Sequence, residues 1–145
     1  METWELVARE RVRDTLAAYT HAGDRGRIED LAATFTEDGV LELRSGETLA
    51  GREAITAMLS GVAERGSAPS RGVPGIIRHF VANVRFEEVT PERVRTAAYF
   101  LVMNAHGPDH WGRYRDTLVP VGDRWLFEHR FVSTDGMAAD SVMAS

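Results

Sequence analysis

Cysteine is absent from this chain, and that absence removes several functions at once. There is no disulfide framework, no thiolate nucleophile and no cysteine-ligated zinc or iron–sulfur centre. No apolar run is long enough to span a bilayer. The opening "METWELVARERVRD" is charged where a signal peptide needs an apolar segment, so the cytoplasm is the expected compartment and no membrane partner is expected. A basic stripe is missing as well: 17 Lys and Arg are interleaved with 22 Asp and Glu, for a net charge of −5, which argues against a nucleic-acid partner. The "GDRG" stretch has two glycines but no GxxxxGK[ST] pattern, so it is no phosphate loop. Internal repeats and low-complexity tracts are also lacking.

What is present is ordinary for a globular chain: 145 residues, 43% hydrophobic and 27% charged. A domain of that size buries roughly two thirds of the surface its unfolded chain exposes. One domain over residues 1–135 is expected, with residues 136–145 as a flexible tail.

The apolar period changes once along the chain. Ala8, Val12, Leu16 and Tyr19 fall at helical spacing and predict a helix over 3–22, with Tyr19 on its buried stripe. Ile28, Leu31, Ala32 and Phe35 predict a second helix over 27–35. "VLELRSG" reads as a strand after the Asp38-Gly39 turn, and "GREAITAMLSGVAERG" as a third helix stopped by Gly66. "GSAPSRGVPG" then reads as a loop fit to form a mobile rim over a pocket.

From Ile76 the period becomes that of strands. "IIRHFVANVRFEEV", "RVRTAAYFLVMNA", "HWGRYRDTLVPV" and "RWLFEHRFVST" predict an antiparallel meander, with Gly122-Asp123 as the last hairpin turn. Several of these runs are apolar on both parities, so both faces of the sheet need cover. The helices can cover one. The other, read as carrying Trp125, Phe127 and Phe131 together, is expected to pair with a second copy in a homodimer.

This order of elements, with "AYTHAGDRGRIEDLAATFTEDGVLEL", "LAGREAITAML", "RHFVANVRFE" and "GRYRDTLVPVGDRWLFEHR", resembles the nuclear-transport-factor-2-like superfamily. Within it the chain is similar to the SnoaL-like enzymes, of the scytalone dehydratase, bile acid dehydratase and dehydrochlorinase type, over nearly its whole length. The resemblance implies an α+β cone, in which a curved antiparallel sheet wraps a long N-terminal helix and leaves a mostly apolar pocket. It also implies an Asp–His dyad, which falls on Asp24 and His79, with a Tyr on the first helix at Tyr19 and an Arg on the last strand at Arg130. A further polar position falls at or near Asn104, where scytalone dehydratase has a His.

Each residue has a plainer reading beside the catalytic one. Asp24 can cap the next helix. His79 can be a half-buried histidine with a satisfied ring. Arg130 can pair with Glu128 or an acid on a neighbouring strand. Tyr19 can be core. The catalytic reading rests on all four occurring together at the family's positions. Its chemistry is definite: a carboxylate on one ring nitrogen fixes the imidazole tautomer and leaves the other nitrogen as a base. A carbon acid beside a carbonyl is then a fitting substrate, with Tyr19, Asn104 or Arg130 bonding the enolate oxygen. No cofactor is expected.

Phe35, Met58, Phe100, Met103 and Trp111 are the expected pocket walls, suited to a small apolar alicyclic, steroid-like or polyketide-like molecule. The expected function is a cofactor-independent lyase or isomerase. The alternatives are a non-catalytic ligand-binding or assembly module of the same fold and an epoxide hydrolase, for which "GRYRDTL" supplies an Arg and an Asp. No metal site is expected, because His106, Asp109 and His110 lie in a Gly- and Pro-containing turn without rigid ligand geometry.

Overall fold

The computed structural model describes residues 1–67 and 76–143. Most of the expected rim loop, residues 68–75, lies outside the described residues. Three helices, α1 (Thr3–Asp24), α2 (Ile28–Ala32) and α3 (Arg52–Ser67), accompany six strands: β1 (Phe35–Leu43), β2 (Thr48–Ala50), β3 (Arg78–Val89), β4 (Val94–Asn104), β5 (Gly107–Val121) and β6 (Arg124–Met137). They form one α+β unit around a curved open sheet of order β2-β1-β6-β5-β4-β3.

The meander pairs antiparallel throughout, but β1 joins β6 in parallel, so the sheet is mixed. A run that returns to the sheet after α3 and three hairpins has the crossover length that a parallel neighbour needs. Among the described residues no helix is long and apolar enough to cross a membrane.

The stripe read from sequence is the one buried in α1: Ala8, Val12, Leu16 and Tyr19 sink into the sheet together with Thr15, Thr20 and Ala22. Thr15 Oγ1 donates to the backbone oxygen of Trp125 at 2.5 Å, tying the helix to β6. The strand β3 bends over α1 at Asn83, whose φ of 56° sits at a break in the β3–β4 register, where a bulge adds curvature. Asn tolerates that left-handed backbone better than most residues. Phe86, beyond the bend, receives the guanidinium groups of Arg9 and Arg13 at 4.9 and 5.0 Å.

Several sequence expectations shift. The first helix runs two residues longer than 3–22 and ends on Asp24 itself. The second is one turn shorter at its end, because Phe35 begins β1 and packs on Tyr19 and Phe127. The three rings assigned to the outer sheet face do not share it. The β5–β6 register slips between Thr117 and Leu118, so Glu128 is the extra residue of a bulge and alternation reverses across it. Trp125 and Phe127 therefore point into the core at 7% and 0% exposure. Phe131 stays outside, in a cleft with Glu42, Arg115 and His129. The expected tail begins inside β6, and its later residues are tied to β5: the Ala138 N–H donates to the Asp109 carbonyl at 2.8 Å.

Candidate active site

The C-terminal end of α1 meets the edge strand β3 through one carboxylate. Asp24 Oδ2 accepts the backbone N–H of His79 at 3.0 Å, while Oδ1 lies 2.5 Å from Nδ1 of the same histidine. An edge strand leaves alternate N–H groups without a sheet partner, and Asp24 takes one of them along with the ring. The two bonds fix both strand and imidazole. With the proton assigned to Nδ1, Nε2 carries the free lone pair. The helix-cap reading of Asp24 fails, because α2 starts after Arg27 and no side chain caps it. The pair remains reachable, with the His79 side chain 20% and the Asp24 side chain 11% exposed.

Deeper in the cone lies a second polar centre. Arg130 donates from Nε to Asp116 Oδ1 at 2.8 Å and from Nη2 to Oδ2 at 3.1 Å, and neither side chain has any exposed surface. Its guanidinium stacks between Tyr114 at 3.6 Å, Tyr19 at 4.2 Å and Phe127 at 4.4 Å. Burial opposes the charge of Arg130, but the adjoining Asp116 carboxylate outweighs it and raises the arginine's pKa. Burial pushes the Asp116 carboxyl up against the pull of that guanidinium. The hydroxyls of Tyr19 and Tyr114 are likewise pushed up by burial, against the same cation, so both stay protonated donors. Arg130 Nη1 is buried with no hydrogen-bond partner among the described residues. The expected partner Glu128 is exposed in the bulge, and the pairing acid comes from the neighbouring strand, where Asp116 stands opposite Arg130.

The other expected site residues divide. Phe100 faces inward and stacks on Tyr114 with centroids 4.7 Å apart. Phe35 is fully enclosed, and Met58 packs half-buried against the core. Met103 and Trp111 are not pocket walls. Met103 shares the outer face of β4 with Tyr99 and Leu101, and Trp111 lies 40% exposed over Gly136, where a Cβ would come within 2.6 Å of the indole. Asn104 has both ends engaged: Nδ2 donates to Asp109 Oδ1 at 2.9 Å, and Oδ1 accepts the His106 N–H at 2.9 Å. It holds the turn between β4 and β5, with one Nδ2 hydrogen committed to Asp109.

The sequence reading passed over Tyr114, offered Asp116 only for epoxide hydrolysis and set His110 aside as a metal ligand. The signal for all three is the inward parity of β5, where His110, Gly112, Tyr114, Asp116 and Leu118 stand opposite Val102, Phe100, Ala98, Thr96 and Val94. A Cβ on Gly112 would collide with the Ser133 carbonyl at 1.9 Å and the Phe100 ring at 2.9 Å, so glycine there marks the tight inner face. Among the described residues no three His, Asp or Glu side chains gather as metal ligands. Two clefts of about 340 and 310 Å³ open elsewhere, and neither borders Asp24 or His79.

The pattern of the SnoaL-like domain matches residues 4–131 of this chain. No curated protein matches it. Among solved structures, a protein from Catenulispora acidiphila in complex with S-DNPA is 30% identical, with 88% of this chain and 92% of that one covered and a TM-score of 0.71. Aln2 from a Streptomyces species is 27% identical over 88% of this chain and 90% of its own, with a TM-score of 0.75. A candidate scytalone dehydratase from Novosphingobium aromaticivorans shares the fold at a TM-score of 0.78 and 23% identity, over 97% of this chain and 92% of that one.

Proposed function

Because this chain belongs to the SnoaL-like family, we propose that it is a cofactor-independent lyase or isomerase. Asp24 and His79 remove a proton next to a carbonyl of a small apolar alicyclic, steroid-like or polyketide-like substrate. The observation that carries this reading is the double hold of Asp24 on His79, at backbone and ring, which leaves Nε2 as the base. A carboxylate that only capped or neutralised would not need to set a tautomer.

In the proposed reaction Nε2 of His79 takes the α-proton, and Asp24 stabilises the imidazolium that forms. Charge moves to the carbonyl oxygen, where the protonated Tyr19 hydroxyl is the donor. Loss of a β-hydroxyl gives dehydration. Without a leaving group the same enolate returns its proton elsewhere and isomerises a double bond or closes a ring. That the Catenulispora relative was solved in complex with S-DNPA supports a fold that takes a ligand.

Epoxide hydrolysis draws less support, since Asp116 has both oxygens on Arg130 and no exposed surface from which to activate water. A binding module draws some, because Phe35, Phe100, Tyr114 and Phe127 fill much of the interior. Deuterium uptake from D2O at the α-carbons of cyclic β-hydroxy ketones and enones separates the two. Uptake that disappears in His79→Ala is the expected result. A folded wild type that binds such molecules without exchanging them is a binding module.

A further inference from the structure

Across the same inner face stands another carboxylate–imidazole pair. His79 on β3 is opposite Val102 on β4, and Val102 is opposite His110 on β5. The two histidines thus flank one small side chain, two strand spacings or roughly 10 Å apart at their Cα atoms. His110 Nδ1 lies 2.7 Å from Asp109 Oδ2, its ring meets the Phe100 ring edge-on at 6.1 Å, and its side chain keeps 13% of its surface open. Its Nε2 has no hydrogen-bond partner among the described residues.

Asp109 is held with unusual completeness. Its carboxylate accepts Asn104 Nδ2 at 2.9 Å, Ser141 Oγ at 2.7 Å and the Val142 N–H at 3.1 Å, besides His110. Ser141 is 6% exposed although it lies beyond the last strand. A surface turn needs no such clamp, and the C-terminal segment is folded back to supply half of it.

From this geometry we infer that Asp109 and His110 form a second acid–base pair beside Asp24 and His79, His110 on the same inner sheet face protonating the leaving group while His79 takes the α-proton, and that Ser141 is its positioning residue. The inference rests on the carbon-acid reading above. In the step, the α-C–H pair becomes the enolate, whose electrons then form the C=C bond as the β-C–O bond breaks. The departing oxygen keeps the bonding pair and takes the proton from His110 Nε2, leaving as water. His79 ends protonated and His110 neutral, and exchange with solvent resets both. Asp109, itself anionic, steadies the charged form of His110 before the step, as Asp24 steadies that of His79 after it.

The test uses the full chain in D2O with 3-hydroxycyclohexanone as probe, reading deuterium at C2 by mass spectrometry and cyclohexenone by ultraviolet absorbance. His110→Gln is expected to keep C2 exchange close to wild type and to lower elimination by roughly a hundredfold, the scale of a positioned acid. Ser141→Ala should move the exchange-to-elimination ratio the same way by a smaller factor, and Ser141→Thr should restore it. A merely structural role would lower both rates together and leave the ratio fixed. Equal losses, or undiminished elimination in a folded His110→Gln, overturn the inference while leaving the Asp24–His79 reading intact. Exchange that survives His79→Ala, or a wild type that exchanges nothing, overturns that reading and this inference with it.

Discussion

Asp24 and Asp116 are the same residue type in the same cone, and each is engaged through both oxygens by a partner on a neighbouring element, yet their surroundings differ. Asp24 meets a titratable ring at the helix end and keeps 11% of its side-chain surface. Asp116 meets a permanent cation, in a box of three rings, and keeps none. A pair built to react needs a partner that can change protonation and a route for substrate; a pair that shapes a cavity needs neither. Arg130 also presents a large planar surface to Tyr19, Tyr114 and Phe127, so the inner rings stack on a charge, while burial, against that charge, keeps the two tyrosine hydroxyls protonated.

Breaking the sealed pair should have the largest effect. Asp116→Ala leaves the Arg130 charge buried without its partner, which costs about 3–5 kcal/mol of stability. The double change Asp116→Leu with Arg130→Met removes the charge along with its partner and should recover most of that loss. Urea denaturation of the three proteins decides it: a double variant as unstable as Asp116→Ala would mean that the aromatic stack on Arg130, and not the ion pair, holds the centre.

Breaking the reachable pair should spare the fold and stop the chemistry. Asp24→Asn keeps an acceptor for the His79 N–H but loses the charge, and turnover should fall by roughly a hundredfold or more. His79→Ala should cost as much, and the double variant little more than either, because groups acting as one unit fail together. Losses that multiply in the double variant, or a melting temperature that falls as far as in Asp116→Ala, would make Asp24 a structural residue.

How much of this contrast the sequence reveals depends on where alternation holds. The stripe of α1 and the pairing of Asp24 with His79 were legible, because a 3.6-residue period and a family position each point to one side chain. The outward placing of Trp125 and Phe127 went wrong at Glu128, since nothing local announces the bulge that reverses parity there. The same bulge turns Arg130 inward onto Asp116, an acid 14 residues away that only the strand register brings opposite. Met103 and Trp111 were misplaced because β4 and β5 carry apolar residues on both faces, and periodicity alone does not say which face is inner.

Those outward residues sharpen the comparison further. Phe80, Tyr99 and Trp111 are 57%, 56% and 40% exposed on three adjacent strands. We propose that this patch, in place of the misassigned one, pairs with a second copy. Light scattering at micromolar concentration should give a dimer, and Tyr99→Glu should raise its dissociation constant about tenfold, which is 1.4 kcal/mol. A monomeric wild type would leave the patch without this partner.

The smallest expected effect belongs to the third carboxylate, Asp109, which stands between the two extremes: its side chain is 3% exposed, but its partner is an imidazole. Burial pushes its carboxyl up, and the hydrogen bonds from His110, Ser141 and Val142 outweigh that and hold its pKa below the ordinary 3.8. A folded value depressed below the unfolded one contributes stability above the unfolded pKa, and that contribution is lost as pH falls through the folded value. The docking of residues 138–143 should therefore be intact at neutral pH and weaken only in acid below 3.8. The Val142 amide, which donates to Asp109 Oδ1, reports this directly: its proton resonance should move upfield, and its exchange quicken, across that acid window. In Asp109→Asn the same resonance should be insensitive there, with exchange already fast at neutral pH. A Val142 amide that titrates in the range of histidine would assign the clamp to His110 and not to the carboxylate. It would then be governed by the same kind of group as Asp24–His79, and Asp109 would lose its intermediate place.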